Sequence, residues 1–135
     1  MDNDFKEELE FLNRLNEDDE LFEREFEIIK NRYPIKDCKR VHDFISENRG
    51  LIIILNKTTD LLKEYAPYVS CIYIELDIDP LFTPQLLLFV RAFEQDFGNG
   101  FKRDISKIND LIDPLLFKFD LALEFFIFDG MVHNH

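Results

Sequence analysis

Three segments of the chain carry the hydrophobic pattern of β-strands. Residues 70–78 alternate strictly, with apolar side chains on one face and mostly polar ones on the other. The segment from Gln85 to Phe93 is apolar on both faces apart from Arg91, which is typical of a central strand covered on both sides. A third alternating segment, Leu121–Phe128, predicts the last strand.

Apolar residues spaced three and four apart predict helices before these strands. Residues 4–32 form either one helix with a polar gap or two helices, the second capped by Asn16 or Asp18. Asp4 with a glutamate three residues later resembles a capping box at the start of this segment. A second short helix is predicted over residues 36–48.

The segment Leu51–Tyr65 is ambiguous. Its first five residues, Leu51–Leu55, resemble a buried strand, and with a short crossover helix at 57–66 the chain would then be a ferredoxin-like βαββαβ fold. Helical spacing persists over fifteen residues, however, and this favours a helix. A further helix is predicted over residues 101–119, with either a kink or a restart at Pro114.

These elements predict an α+β domain with a mainly antiparallel sheet of three or four strands and helices on one face. Residues 1–33 are expected to be an acidic helical segment that packs on the same domain. Residues 34–129 would form the α+β core, and residues 130–135 a frayed tail.

The second face of the predicted sheet is rich in aromatic side chains, among them Tyr73, Phe89 and Phe126. Exposed aromatic area of this size requires a cover. The N-terminal helical segment is the favoured cover, and a second copy of the chain or a partner protein is the alternative. Leu81 and Phe82, in the loop between the first two strands, could serve as an exposed anchor for a partner.

Charged side chains lie on the same face. Arg91 is expected to be half-buried and held by Glu75, Asp77 or Glu124, because an unpaired buried charge is costly. Glu75, Asp77 and Asp79 place three carboxylates at every second position, and their oxygens suit Mg²⁺ or Ca²⁺. They are the candidate metal ligands, although a solvated strand face often carries such charges.

The charge of the chain is strongly negative, −12 in 135 residues. Residues 1–32 hold 12 acidic and 5 basic residues, a balance of −7. Binding of nucleic acid or of an anionic membrane requires clustered lysine and arginine, so both are excluded as expected partners. A basic protein partner is compatible with this charge.

Motifs of catalysis are absent from the sequence, which has no glycine-rich phosphate loop, no GxSxG and no HExxH. No cofactor is expected. Cys38 lies four residues before His42 on a predicted helix, but its position on the apolar stripe indicates a buried thiol. The N-terminus lacks the pattern of a signal peptide, so a cytoplasmic protein with both cysteines reduced is expected.

Three short motifs carry a resemblance: Tyr65-Ala66-Pro67, Glu75-Leu76-Asp77-Ile78-Asp79-Pro80 and Leu86-Leu87-Leu88-Phe89-Val90. With them, residues 44–128 resemble a group of small uncharacterised prokaryotic α+β proteins. The resemblance implies a helix, a strand hairpin closing on Asp-Pro, a helix and a last strand. It also implies an accessory or antitoxin-like partner more than an enzyme, and it transfers no functional residue.

The sequence therefore predicts a non-catalytic cytoplasmic interaction domain, an acidic neutraliser of a basic protein in the manner of an antitoxin or immunity protein. The alternative is a small metal-dependent enzyme or ligand-binding domain that uses the carboxylates of Glu75, Asp77 and Asp79. A homodimer that buries the aromatic face is the third interpretation.

Overall fold

A computed structural model of the chain describes residues 5–78 and 83–132. In these ranges the chain forms an α+β fold with five helices longer than one turn and a three-stranded sheet. The elements in chain order are α1 (Lys6–Glu17), α2 (Asp19–Arg32), α3 (Cys38–Glu47), α4 (Gly50–Tyr65), β1 (Cys71–Asp77), β2 (Gln85–Phe93), α5 (Lys102–Lys118) and β3 (Phe125–Val132).

The N-terminal segment is two helices, and Asp18 separates them. Its backbone is extended, with φ −126° and ψ 99°, and its carboxylate accepts a hydrogen bond from the backbone N–H of Leu21 at 3.1 Å. This bond satisfies one of the free N–H groups at the start of α2. The capping box predicted at Asp4 lies outside the described residues.

Helix α4 forms the centre of the helical layer. The helix predicted over 51–65 is confirmed, and the five consecutive side chains of Leu51–Leu55 are all buried, with at most 7% of any of them exposed. A helix is buried on every side when other elements surround it, and here α1, α2, α3 and α5 all contact α4. The ferredoxin-like alternative is therefore wrong, because its first strand is the start of this helix.

The sheet is mixed, with the strand order β1-β2-β3. Strands β1 and β2 are antiparallel, with Ile74 opposite Leu88, whereas β2 and β3 are parallel, with Leu88 opposite Ile127. The prediction of a mainly antiparallel sheet is thus correct for one of the two pairings. Helix α5 carries the chain back to the end of the sheet where β2 began, and this crossover makes the neighbouring strand parallel.

Strand β3 begins later than the sequence pattern predicts. Residues 122–124 form a turn after Asp120, which has a positive φ of 59°, and the strand then runs from Phe125 to Val132. It therefore extends past the predicted boundary at residue 129. The predicted alternation is correct where the two ranges overlap: Phe125 is buried and Phe126 is exposed.

The connection from β2 to α5 contains a break between helical turns, at which Gly100 has a φ of 103°. Helix α5 is continuous through Pro114 from Lys102 to Lys118, so the helix does not restart there.

Arg49 connects helices α1 and α2 to the start of α4 through three contacts. Its guanidinium donates to the backbone carbonyl of Leu15 at 2.6 Å and pairs with the carboxylate of Asp19 at 2.7 Å. It also lies 4.5 Å from the ring centroid of Phe22. One side chain, 15% exposed, therefore contacts both α1 and α2 from the start of α4.

His42 joins α3 to α2. Its Nε2 lies 2.6 Å from a carboxylate oxygen of Glu23, its Nδ1 lies 3.3 Å from one of Asp43, and its ring packs edge-on against Phe26. Burial lowers the pKa of His42, but the hydrogen bonds to Glu23 and Asp43 outweigh burial, so the pKa lies above its ordinary value of 6.5. Protonation of the ring is therefore more favourable in the folded than in the unfolded chain.

This contact makes stability depend on pH. Because the pKa of His42 is higher in the folded than in the unfolded chain, the stabilisation is complete below pH 6.5 and is lost as the pH rises through the folded pKa. The wild type should therefore be more stable than His42→Gln by an amount that decreases as the pH rises through this window. We expect urea titrations at several pH values to show this decrease in the difference between their free energies of unfolding. Glu23→Gln is expected to lower the His42 pKa measured by NMR. Parallel pH profiles of wild type and His42→Gln would contradict the prediction.

Candidate functional site

The face of the sheet turned away from the helical layer is the candidate site, and we call it the open face. Its central side chains are Tyr73, Glu75, Leu87, Phe89, Arg91, Phe126 and Phe128. On the opposite face Ile74, Leu88 and Ile127 are at most 3% exposed, whereas Phe126 and Phe128 are each 50% exposed. Large apolar area thus remains in contact with solvent.

The N-terminal helices do not cover this face, so the favoured sequence interpretation of its cover is wrong. Helices α1 and α2 pack against each other and against α4. Their aromatic side chains Phe22 and Phe26 are buried in the core formed by the helical layer. The physical reason is that Leu51–Leu55, at the start of α4, is apolar on every side and therefore needs these two helices as neighbours.

Aromatic rings cross the open face in one row. Strand pairing sets Tyr73 opposite Phe89 and Phe89 opposite Phe128. The rings of Tyr73 and Phe89 are stacked with centroids 4.6 Å apart, and those of Phe89 and Phe128 lie 5.2 Å apart. Such contacts hold the rings in place, so the row is a preformed apolar surface.

Arg91 has a different partner from the predicted ones. Its Nη2 donates a hydrogen bond to the hydroxyl of Tyr73 at 2.9 Å, and its guanidinium carbon lies 5.4 Å from the centroid of the same ring. The expected pairing with Glu75, Asp77 or Glu124 is therefore replaced by a contact with an aromatic ring. Arg91 brings a half-buried positive charge to the aromatic row.

The candidate metal ligands are not assembled in the described part of the chain. Glu75 is paired with Lys36 at 3.1 Å, Asp77 is exposed, and Asp79 lies outside the described residues. Across 5–78 and 83–132, no three histidine, cysteine, aspartate or glutamate side chains are grouped so that they could hold a metal ion. The metal site remains a prediction from the sequence.

The predicted partner-binding residues fall into two groups. Tyr73, Phe89 and Phe126 share the open face, whereas Leu81 and Phe82 lie outside the described residues. The prediction omitted Phe128, although the alternation of the last strand already placed it beside Phe126.

A groove lies between α5 and the start of β3, at the edge with which no described strand pairs, and we call it the edge groove. It has a volume of about 690 Å³, and its lining includes Asp110, Asp113, Phe117, Ala122, Phe125 and Phe126. The hydrophobic pattern of the sequence did not predict this groove. The signal was Phe117, which breaks the polar face of α5 and is 83% exposed.

Two tyrosine hydroxyls, those of Tyr33 and Tyr68, are engaged in structural contacts. The hydroxyl of Tyr33 hydrogen-bonds Thr59 in the interior, and burial raises the pKa of Tyr33. Burial, followed by a hydrogen bond to Asp104, raises the pKa of Tyr68. Both phenols are therefore protonated at neutral pH.

The imidazole of His42 faces Glu23 and Asp43. In the described residues this ring is thus committed to carboxylates, which argues against the activation of Cys38 that its i, i+4 position could have allowed.

No family model, curated protein or solved structure matches this chain. Among the described helices, none combines the length and the apolar character that a membrane crossing demands.

Proposed function

We propose that this chain is a non-catalytic cytoplasmic domain that binds a basic protein through the open face of its sheet. In this role it would neutralise its partner in the way that antitoxins and immunity proteins do. The observation that carries the proposal is the aromatic row, which crosses all three strands and stays partly exposed.

The chemistry of the open face supports binding of a protein. Aromatic side chains dominate the energetics of protein interfaces because they bury much area at a low cost in conformational entropy. Phe128 and Phe126 are half exposed, and the stacked pair of Tyr73 and Phe89 lies beside them. Arg91 at the side of the row adds a residue type that is enriched at interface centres.

The charge of the chain supports a basic partner over a second copy. Two chains of net charge −12 repel each other, whereas a basic protein is attracted to this surface. Asp77, which is exposed at the end of β1, adds a carboxylate to this face of the sheet.

Single serine variants on the open face test the proposal. We expect Phe128→Ser and Tyr73→Ser each to weaken binding of the partner by about thirty-fold or more, because each removes an aromatic anchor. The matched control is Ile28→Ser on α2, which removes a side chain of similar exposure, 47% against 50%, from the helical layer. Ile28→Ser is expected to leave affinity unchanged.

The partner would be identified by native mass spectrometry of the protein purified gently from its own host, and affinities would then be measured by calorimetry. A basic protein whose binding is lost in Phe128→Ser and kept in Ile28→Ser supports the proposal. A homodimer, a neutral or acidic partner, or equal effects of both variants would overturn it.

A further inference from the structure

From the edge of β3 we infer a second contact: an extended, lysine- or arginine-bearing segment of the partner adds to β3 as a fourth strand and lies in the edge groove. The inference rests on the proposed function, since it names how the same basic partner is held. Three independent observations carry it: the edge of β3 that no described strand pairs with, the exposed apolar residues and the acidic wall of the groove.

The two edges of the sheet differ. The outer edge of β1 is bonded to the segment before α3, because the N–H of Ile74 donates to the carbonyl of Pro34 at 3.0 Å and the N–H of Lys36 donates to the carbonyl of Ile74 at 2.9 Å. Strand β3 has β2 as its one neighbour among the described strands. Strand addition is therefore obstructed at β1, whereas no described strand pairs with the outer edge of β3.

The backbone of β3 presents its free groups outward at alternate residues. The N–H of Leu86 donates to the carbonyl of Glu124 at 2.8 Å, so the carbonyl of Glu124 points towards β2. Alternation along the strand then directs the N–H and C=O groups of Phe125, Ile127 and Asp129 away from β2. An added strand would pair with these groups. Because Phe125 and Ile127 are each only 3% exposed, neighbouring side chains would shift when the strand binds.

The largest exposed apolar side chains surround this edge. Within the described residues the four most exposed are Phe117 at 83%, Leu123 at 73%, and Phe126 and Phe128 at 50% each. Two of them, Phe117 and Phe126, line the edge groove, whose volume of about 690 Å³ is that of a ligand-binding pocket. An added strand would find apolar contacts on both sides of the sheet edge.

The charge at the groove selects a basic strand over a second copy of β3. Asp110 and Asp113 line the α5 wall, and neither has a side-chain partner in the part of the chain that the structure covers. Residues 121–132 contain two acids and no lysine or arginine, so pairing of β3 with itself would bring like charges together. A strand with alternating basic and apolar residues fits both the wall and the groove.

The test is a selection of binders from a random ten-residue peptide library displayed on phage, with the intact chain as the target. We expect the selected peptides to alternate basic with apolar residues. Methylation of every second backbone nitrogen of a selected peptide should abolish its binding. In NMR spectra of the chain, the amide signals that shift when the peptide binds should centre on Phe125, Ile127 and Asp129.

Two changes in the chain separate the backbone contact from the charge contact. Asp129→Pro removes an outward N–H, which an edge strand tolerates, and is expected to weaken the selected peptides more than tenfold. Asp110→Lys combined with Asp113→Lys is expected to do the same through charge reversal. Glu10→Lys, on the exposed surface of α1, is the control and should leave affinity unchanged.

The outcomes separate this inference from the proposed function. Alternating basic peptides that both variants weaken support the inference. The inference is overturned if the library yields no binders, or if the selected peptides bind both variants as tightly as the wild type. It is also overturned if the chain forms a dimer and Asp129→Pro abolishes that dimer. If the peptides fail while Phe128→Ser still loses the natural partner, the open-face proposal stands without this edge contact.

Discussion

Replacing Ile54 with alanine is expected to lower the free energy of unfolding by about 3 kcal/mol. Ile54 is fully buried in α4, and neighbours on every side hold the cavity open, because four other helices pack against α4. Urea denaturation followed by circular dichroism measures the change. We expect it as a shift of the transition midpoint at constant slope.

The control for this variant is Lys57→Ala on the same helix. Lys57 is exposed, and its replacement is expected to change the free energy of unfolding by less than about 0.5 kcal/mol. A loss below about 1 kcal/mol for Ile54→Ala would show that the start of α4 is not enclosed as described.

Arg49→Met is expected to destabilise the chain by about 2 kcal/mol. The methionine keeps most of the apolar volume but leaves the Leu15 carbonyl without its donor and Phe22 without the guanidinium. Loss of these contacts should loosen α1 and α2 before the rest unfolds. Hydrogen exchange monitored by NMR should therefore show faster exchange in α1 and α2 than in α5.

Asp19→Asn distinguishes the ion pair from the carbonyl contact. Asp19 is 84% exposed, so its pairing with Arg49 is screened by water and contributes less than about 1 kcal/mol. If Asp19→Asn cost as much as Arg49→Met, the ion pair and not the bond to Leu15 would be the main attachment.

Periodicity identified the helical layer correctly because it integrates many residues. In Leu51–Leu55 the local preference is for a strand, yet spacing that continues to Tyr65 predicts the helix that the structure shows. The sequence also indicated Asp18 as one of two possible N-caps of a second helix, and the structure has the cap there. Capping can be predicted because it depends on residues that are close in sequence.

Contacts between distant elements were less readable. The order of a strand at 85–93, a helix and a strand at 121–128 is itself the pattern of a parallel pair, but the hairpin before it drew the prediction towards antiparallel pairing. The cover of the open face was misassigned because the spacing of apolar residues shows that α1 and α2 have an apolar stripe without showing which surface the stripe packs on.

The candidate site divides in the same way. Alternation placed Tyr73, Phe89 and Phe126 on one face from the sequence, whereas the partner of Arg91 depends on which side chains reach it across the strands. The edge groove depends on the packing of α5 beside β3, which no local pattern contains. The partner contacts of Leu81 and Phe82 and the metal binding of Asp79 remain predictions, because these residues lie outside the described ranges.

The parallel pairing of β3 also sets an order of assembly. Strands β1 and β2 are joined by residues 78–84, whereas β3 meets β2 only after residues 94–124 have been ordered. Closing the longer loop costs more conformational entropy before any strand contact compensates for it. We therefore expect β3 to join the sheet last during folding and to leave it first during unfolding. A strand bound at the outer edge of β3 would hold β3 in place and so slow unfolding of the whole domain.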